Sequence, residues 1–512
     1  MTATTAQTGA ATRHVRVGIL GAGLAGLGMA IRLKLEGIED YVVWQRDADV
    51  GGTWWANTYP GCQCDIPSHL YSFSFAPNPE WRRTYAPQPE IEAYIRRVTD
   101  DFGLRPHIRL NCAVTQATWD EDEHVWRVAT ERGDYTAEAL VAAPGPLSEP
   151  SIPDLPGLDT FAGTVFHTAA WNHDHDLTGR RVAVIGTGAS AIQAVPEIQP
   201  IVERVTVFQR TPPWVIPHGD RPISERERRV FRRFPPAQRM IRAGVYLGRE
   251  LLVPGLAYRP QLMGVIERLA RRHLERQVRD PQLRARLTPD YAIGCKRILP
   301  SNRWYPAVTQ PNAEVVTDGI ARVRPDGIVD GRGELHQVDT IVLATGFHVT
   351  DIRMAALTTG AGGRRLSDVW DGSPRAYRGT TVAGFPNLFF LVGPNTGLGH
   401  NSVVFMIEAQ LNYVAGALAH MRKTGATRLE VTREAQDADN ARIQARLART
   451  VWNTGGCSSW YLDRTGRNTI IWPDFTFRFW RRMRRFDFEA YEVARTPRRA
   501  PAPAVAVAVA PA

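Results

Sequence analysis

Short runs of hydrophobic residues that end in glycine recur along the chain, and each precedes a stretch with helical spacing. The run His14–Leu20 is apolar and β-branched, which predicts a buried strand; Gly21-Ala22-Gly23 and the helical pattern LAGLGMAIRLKL follow it directly. The segment RRVAVIGTGASAIQAVPEI, which begins at Arg180, repeats the same order. Two strand–turn–helix units of this kind predict an α/β chain.

Each of these turns carries a glycine fingerprint typical of a dinucleotide site. The first is GAGLAG, with Gly21, Gly23 and Gly26, and the second is GTGASA, with Gly186 and Gly188. Such glycines permit a tight turn and let a pyrophosphate approach the N-terminus of the following helix, where free N–H groups favour an anion. The fold expected is therefore a pair of Rossmann-like dinucleotide-binding domains.

The residues at matching distances after the two fingerprints differ, and the difference predicts two different nucleotides. Nineteen residues past Gly26, where an acid usually contacts the ribose, the chain has Gln45, with Asp47 as a less favoured substitute. Nineteen residues past Ala191 it has Arg210, which suits a 2′-phosphate. The second nucleotide is therefore predicted to be NADPH and not NADH.

Length and charge narrow the class of protein. A chain of 512 residues exceeds one core, so two or three domains are expected. The formal charge of +10 is concentrated in 221–286 and 478–499, and it favours a solvated basic face over a nucleic-acid groove. Arginine has almost displaced lysine, so Lys296, beside Arg297, is informative by its rarity. Asp65, judged by its type alone, is a turn or cap residue.

The cysteines and the two ends of the sequence predict where in the cell the protein is located. The five cysteines are scattered without zinc-site spacing, which predicts a reduced, cytoplasmic protein. The first residues lack the apolar core of a signal peptide, and no apolar run of membrane-spanning length occurs, although weak peripheral membrane contact stays open. The Pro/Ala-rich stretch 498–512 is expected to be a disordered tail.

These residues together resemble a known family, the type I Baeyer–Villiger monooxygenases among the class B flavoprotein monooxygenases. The resemblance covers about residues 14 to 490. It rests on both fingerprints and on the following matches: Gly51-Gly52-Thr53-Trp54, Asp65, the string Phe161, Gly163, His167 and Trp171, the pair Lys296-Arg297, and Ser459-Trp460-Tyr461. Asn172, where the family usually has Pro or Asp, and Gln45 are departures from its pattern.

The resemblance implies an activity and a role for each residue. FAD reduced by NADPH captures O2 as a C4a-peroxyflavin, which inserts one oxygen beside a ketone carbonyl to give an ester or lactone. Arg297 matches the catalytic arginine and Asp65 the carboxylate that positions it, while the string 161–171 matches a linker between domains. The implied cofactor contacts are, for FAD, Gly21, Gly23, Gly26, Gln45, Gly52, Thr53, Trp54 and Asp65, and, for NADP, Gly186, Gly188, Ser190, Arg210, Thr211, Lys296 and Trp460.

The resemblance also implies an inserted arrangement of domains. The FAD domain is expected over 10–148 and 375–497, the NADP domain over 149–215 and 294–374, and a helical insert over 216–293. Partners are a small ketone and O2, in a monomer or homodimer. The main alternative is an N- or S-oxygenating flavin-containing monooxygenase. A flavin disulfide reductase is disfavoured because Cys62 and Cys64 lack the CxxxxC spacing, and a non-catalytic NADP sensor is the third possibility.

Overall fold

The computed structural model describes residues 12–350 and 352–495, so the expected tail at 498–512 lies outside the described residues. The strands are β1 (Arg13–Leu20), β2 (Tyr41–Trp44), β3 (Ile108–Arg109), β4 (Val114–Asp120), β5 (Val125–Thr130), β6 (Gly133–Ala142), β7 (Thr164–His167), β8 (Arg181–Ile185), β9 (Arg204–Phe208), β10 (Val215–Ile216), β11 (Leu299–Pro300), β12 (Ala313–Val316), β13 (Ile320–Arg324), β14 (Gly327–Asp330), β15 (Leu335–Gln337), β16 (Thr340–Leu343), β17 (Thr358–Thr359), β18 (Leu388–Phe390), β19 (Arg428–Val431) and β20 (Tyr491–Ala494).

The helices, in chain order, alternate with these strands or connect them. They are α1 (Leu24–Leu35), α2 (Thr53–Ala56), α3 (Gln88–Asp101), α4 (Ala189–Ile198), α5 (Glu225–Arg233), α6 (Pro235–Glu250), α7 (Gly264–Gln277), α8 (Pro281–Arg286), α9 (Trp304–Val308), α10 (Arg353–Leu357), α11 (Leu366–Trp370), α12 (Val403–Thr424), α13 (Arg433–Leu447), α14 (Val451–Thr454) and α15 (Thr476–Met483). The predicted α/β class with two Rossmann-like units is confirmed.

The first sheet is built from both ends of the chain. Its order is β17-β4-β5-β6-β1-β2-β3, and β18 also pairs with β6. β1 is parallel to β2 and β6, whereas β5 runs antiparallel to its two neighbours, β4 and β6. The middle strands are buried on both faces because α1 and α12 cover one side and the cluster around Trp126 covers the other. The first fingerprint follows β1, at the carboxyl edge of this sheet.

The second sheet is a five-stranded parallel sheet in the order β12-β9-β8-β16-β7. The second fingerprint follows β8, and Arg210 lies just past the end of neighbouring β9. Parallel strands bring their carboxyl ends to one edge, where ligands of such sheets bind. The segment 216–293 between these strands contains α5 to α8.

One predicted domain boundary differs from the boundary in the structure. Residues 294–374 were expected to belong to one unit with the second sheet, but β17 pairs with β4 of the first sheet. Met354, Leu366 and Trp370 pack into the cluster on the outer face of the first sheet. These apolar side chains of α10 and α11 need a core to cover them, and the first sheet provides it.

The chain passes between the two sheets twice, and the two crossings lie side by side. Pro150 and Phe347 form an isolated antiparallel bridge. The Ser151 N–H donates to the Gly346 carbonyl at 2.9 Å, and the His348 N–H donates to the Glu149 carbonyl at 2.9 Å. The two sheets are therefore joined by a paired connection and not by two independent linkers.

The expectation that all cysteines are reduced is wrong for one pair. Cys295 and Cys457, 162 residues apart in sequence, form a disulfide with Cα atoms 6.1 Å apart. Spacing along the chain could not show this because the fold brings the two segments together. The remaining cysteines, Cys62, Cys64 and Cys112, are free and buried. Within the described residues, helices long and apolar enough to cross a membrane are absent.

Candidate functional site

A cleft of about 1170 Å³ runs between the two sheets and receives both glycine fingerprints. Pockets for a single small ligand measure about 300–1,000 Å³, so this cleft exceeds the usual size of such a pocket. Besides the fingerprints, the sequence-predicted residues that line it are Gln45, Gly52, Thr53, Trp54, Asp65, Ser190, Arg210, Thr211, Lys296, Arg297 and Trp460. The structure thus brings both nucleotide sites and the arginine–carboxylate pair to one cavity.

The first fingerprint forms a turn that only glycine can occupy at its close approaches. A Cβ at Gly26 would lie 1.8 Å from the Gly21 carbonyl oxygen, so α1 packs directly against the turn. Gly52 has a φ of +55°, and a Cβ there would lie 3.0 Å from the Gly23 Cα. Two bare backbone segments therefore face each other at the N-terminus of α1, a cradle suited to an anion.

Gln45 is engaged with the protein itself. Its Oε1 accepts the Ala22 N–H at 2.8 Å, within the fingerprint turn, and its Nε2 donates to Asp47 Oδ2 at 2.5 Å. Both residues line the cleft, but the Gln45 side chain is buried, whereas the Asp47 side chain is 30% exposed. The amide thus positions the turn and orients the neighbouring acid.

The second fingerprint is open at Gly188, whereas the matching Gly23 of the first faces Gly52. A Cβ at Gly188 would have no atom within 4 Å, and the helix α4 begins immediately afterwards. The Thr187 hydroxyl donates to the Thr211 carbonyl at 3.0 Å, which links the turn to the strand end that carries Arg210. The helix N-terminus and this strand end therefore face the same part of the cleft.

Two cations meet at this end of the cleft. Burial and, secondarily, the positive charge of Arg210 lower the pKa of Lys296, with Asp290 opposing the shift. The Lys296 Nζ lies 5.0 Å from the centre of the Tyr291 ring. A smaller side pocket beside Arg210 also includes Arg286, which the sequence did not point to. Repulsion between neighbouring cations is relieved when an anion binds between them.

Asp65 and Arg297 form the central ion pair of the cleft although they lie 232 residues apart. The Arg297 Nη2 donates to Asp65 Oδ1 at 2.6 Å, and its Nε donates to Oδ2, in the two-point geometry typical of Arg–carboxylate pairs. The Nη1 donates to the Leu398 carbonyl at 3.2 Å. Asp65 is therefore a partner of Arg297, and the interpretation as a turn or cap residue is wrong.

The ionisation states of this pair are fixed. Burial opposes the charge on Asp65, but the Arg297 charge and hydrogen bonds outweigh it and hold the pKa of the carboxyl below its usual value. Burial likewise opposes the charge on Arg297, and Asp65 raises the pKa of the guanidinium above its ordinary value. The pair thus presents a permanent, oriented cation to the cleft.

The string 161–171 lies where the two sheets and their cores meet. His167 ends β7, accepts the Ala169 N–H at 3.0 Å and is buried; this burial lowers its pKa, against a hydrogen bond with the Gly346 backbone. Trp171 contacts the cores of both sheets, and its ring lies 5.0 Å from that of Phe166. Phe161 packs in the second sheet's outer cluster, and a Cβ at Gly163 would lie 2.2 Å from the Asp339 carbonyl oxygen.

The segment that carries Trp460 is tied to the cation pair by the disulfide. Cys457 precedes Ser458, Ser459 and Trp460, all of which line the cleft, and Cys295 immediately precedes Lys296. The Trp460 side chain is exposed, with its ring 4.5 Å from that of Tyr461. The covalent bond therefore fixes the base of this segment beside Lys296.

Sequence reasoning also missed a contact between the two nucleotide sites. Gln193, on α4 after the second fingerprint, accepts from the Tyr59 hydroxyl at 2.9 Å and donates to the Gln63 carbonyl at 2.9 Å. The sequence places Gln193 on the helix that follows a fingerprint, which could have marked it as a candidate. Its partners lie about 130 residues away in the chain, so the contact itself could not be predicted. This contact joins the helix of the second fingerprint to the segment before Asp65.

Comparison with known proteins shows the family to which this chain belongs. Residues 19–224 match the family described as pyridine nucleotide-disulphide oxidoreductase. The chain is 52% identical over 492 residues to a Baeyer–Villiger monooxygenase of Streptomyces coelicolor and 51% identical over 495 residues to one of Pseudomonas aeruginosa. Each alignment covers 96% of this chain and 94% of the relative.

Solved structures agree over the whole fold. A cyclohexanone monooxygenase from Rhodococcus sp. Phi1 bound to NADP+ superimposes with a TM-score of 0.84 at 28% identity, covering 95% of this chain and 100% of that one. An oxidized steroid monooxygenase bound to NADP gives 0.83 at 32% identity, over 94% and 100% of the two chains. The fold and site define a flavoprotein monooxygenase with two dinucleotide-binding units. The chain belongs, within that class, to the Baeyer–Villiger monooxygenases.

Proposed function

We propose that this chain is an FAD- and NADPH-dependent monooxygenase that inserts one oxygen atom next to a ketone carbonyl, giving an ester or lactone. The observation that supports this function most directly is the Asp65–Arg297 ion pair, which lies in a cleft shared by two nucleotide cradles. When bound, FAD supplies the activation of O2 with electrons taken from NADPH. The protein's part is to bind both nucleotides, orient the ketone and stabilise negative charge.

FAD fits the cradle on the first sheet. Gly21, Gly23 and Gly26 offer the N-terminus of α1 to its pyrophosphate, and that helix has no acid in its first turn to compete. Gly52, Thr53 and Trp54 form the facing wall. Gln45 holds the turn, so we assign the ribose contact to Asp47, which Gln45 orients.

NADPH fits the cradle on the second sheet. Gly186, Gly188 and Ser190 present the N-terminus of α4, and Arg210, Thr211 and Lys296 lie beside it. Since Lys296 and Arg210 repel each other, a 2′-phosphate that binds between them relieves this repulsion. This arrangement supports a preference for NADPH over NADH.

Arg297 is assigned the stabilisation of negative charge on the oxygen that attacks the ketone carbon and on the carbonyl oxygen, which gains negative charge as that carbon is attacked. A fixed cation in a site that excludes water stabilises developing negative charge more than the same cation does in water. Asp65 holds the guanidinium by two hydrogen bonds, so we treat it as a positioning residue. Trp460 and its segment are assigned to close over NADPH, and the string Phe161 to Trp171 to link the two units.

We further propose that the first sheet carries the FAD unit, the second sheet the NADP unit, and 216–293 a helical insert. A cytoplasmic setting with NADPH and O2 as co-substrates fits this function. The cytosol keeps most thiols reduced, so the Cys295–Cys457 bond would be unusual there.

The test is conversion of a ketone panel by the purified holoenzyme. Cyclic, aromatic, steroid and long-chain ketones are supplied with NADPH and air, and products are identified by mass spectrometry. We expect esters or lactones one oxygen heavier than the ketone, with NADPH consumption that depends on the ketone. If amines or sulfides are oxidised while every ketone is returned unchanged, the chain is an N- or S-oxygenating enzyme instead.

A further inference from the structure

Helix α6 of the helical insert exposes a stripe of large apolar side chains to solvent. Met240, Leu247 and Leu251 at its outer side and C-terminal end are 71%, 62% and 78% exposed. They follow one another at spacings of seven and four, so they form one stripe. Surface helices normally direct such a stripe toward the core and keep charged residues outside.

The inner face of α6 carries two hydrogen-bonded charged residues beside Val245 and Tyr246, which pack against the core. Arg242 donates to the carbonyls of His69 and Ser72 at 2.8 Å each, and the buried Glu250 accepts from Asn401 Nδ2 at 2.7 Å. These contacts fix the rotation of the helix, since turning the apolar stripe inward would expose a buried network. The outward position of the apolar stripe is therefore set by the fold.

A second apolar stripe lies on α7 and the turn before it. Leu262, Val265 and Leu269 are 54%, 62% and 46% exposed, at spacings of three and four. Exposed aromatic side chains, Phe477 and Trp480, lie on α15, which adjoins the end of α6 through the hydrogen bond from Thr476 Oγ1 to Tyr246 Oη at 3.0 Å. Trp and Phe beside apolar stripes are typical of surfaces that enter the interface of a bilayer.

The positive charge of the helical insert favours an anionic partner. Residues 221–286 contain seventeen arginines and six acids, a formal charge of +11, when the whole chain carries +10. Exposed arginines flank the stripes without an ion pair among the described residues; they are Arg226, Arg229, Arg233, Arg239, Arg268 and Arg272. An isologous contact with a second copy would place two such faces against each other, and their repulsion disfavours it.

We propose that the helical insert is a membrane-docking surface that binds the headgroups of anionic phospholipids. Here the outward stripes of α6 and α7 enter the boundary between headgroups and acyl chains. The flanking arginines bind lipid phosphates, with their aliphatic stems against the apolar layer. This inference does not depend on the reaction that the cleft performs.

The experiment is co-sedimentation of the full-length holoenzyme with phosphatidylcholine vesicles, with and without phosphatidylserine. We expect binding to the phosphatidylserine vesicles that weakens as salt is raised, and little binding to phosphatidylcholine alone. The apolar variant Met240→Gln/Leu247→Gln/Leu251→Gln is expected to bind at least tenfold more weakly. The charge variant Arg229→Gln/Arg233→Gln/Arg239→Gln is expected to bind about a hundredfold more weakly, from about a fivefold loss for each arginine.

A matched control replaces exposed apolar residues elsewhere. Leu35, Ile152 and Ile201 are 61%, 54% and 48% exposed, and their joint replacement by Gln should leave vesicle binding unchanged. None of the substituted residues lines the cleft, so NADPH oxidation with a water-soluble ketone should be equal in all variants. The proposal is overturned if the wild type ignores both vesicles, or if the control loses binding equally. It is also overturned if the wild type is a dimer that the apolar variant dissociates.

Discussion

Replacement of Asp65 by Asn tests the assignment of the central pair because it keeps the shape of the side chain and removes its charge. In the wild type, Arg297 donates to both carboxylate oxygens. The amide accepts one of these hydrogen bonds and turns its own NH2 toward the other donor. Arg297 then keeps only its contact with the Leu398 carbonyl and one weakened bond, so it is free to leave the position in which it faces the ketone.

The size of the effect follows from the lost contacts. A hydrogen bond to a charged group contributes about 1.5–3 kcal/mol. Of the two hydrogen bonds from Arg297 to residue 65, roughly one is lost, and the other has a neutral acceptor in place of a carboxylate. The side chains of Arg297 and Asp65 are 28% and 21% exposed, so solvent reduces the loss toward about 2–3 kcal/mol. At 1.36 kcal/mol per factor of ten, ester formation should fall about 30- to 150-fold.

The assay separates the two half-reactions. Anaerobic reduction of the flavin by NADPH, followed by absorbance, should stay within about twofold of wild type, because each tenfold change needs 1.36 kcal/mol and both glycine cradles, Arg210 and Lys296 are left unchanged. Ester yield per NADPH consumed should fall, with hydrogen peroxide as the remaining product. Asp339→Asn is the matched control, since Asp339 pairs with Arg181 at 2.7 Å outside the cleft. Asp65→Asn with wild-type yield would refute the role of the pair, and lost flavin reduction would refute its assignment to oxygen insertion.

The other predictions concern the second nucleotide and the disulfide. Arg210→Gln should lower kcat/KM for NADPH about 10- to 150-fold, for the loss of one charge-assisted contact, with NADH little affected; an equal loss with both would contradict the phosphate site. Because its pKa is lowered, Lys296 loses its charge at a pH below the ordinary lysine value of about 10.4, so the KM for NADPH should rise with alkaline pH. Lys296→Arg should remove that rise, and a rise that persists would contradict the assignment. Reduction of the disulfide should lower the thermal midpoint, since closing a span of 162 residues stabilises by up to about 5 kcal/mol; Cys457→Ser should melt equally with and without reductant.

The parts of the fold that the sequence predicted depend on neighbouring residues. A β-branched run, a glycine turn and an amphipathic helix are adjacent in the chain, so both fingerprints were recognisable. Arg210 and Lys296 were also found, one by its distance from a fingerprint and the other by its rarity. Arg210 lies just past the end of β9, at the edge to which parallel pairing brings the strand ends, whereas Lys296 lies just before β11 of a separate two-stranded sheet.

The parts that were missed depend on distant contacts. The partner of Asp65 lies 232 residues away, so its type and local turn pointed to a cap, and only the resemblance to a family corrected that reading. For Gln45, nothing local shows that its oxygen accepts the Ala22 N–H, and its contact with FAD stays a prediction. The Cys295–Cys457 bond and the outward stripe of α6 likewise depend on how whole segments pack, which a linear pattern does not contain.

The paired crossings between the two sheets have a consequence for the order in which the chain folds. Leu388 of β18 pairs with Leu140 of β6, about 250 residues earlier, so the first sheet cannot be completed until the chain has been synthesised as far as β18. The strands of the second sheet are contiguous within that interval, and its folding brings Pro150 and Phe347 together. The effective loop between β6 and β18 then shrinks to about fifty residues, which lowers the entropic cost of closing it by about 1.4 kcal/mol. The unit that contains the second sheet therefore acts as an internal template. When this unit folds first, the first sheet assembles around it more easily.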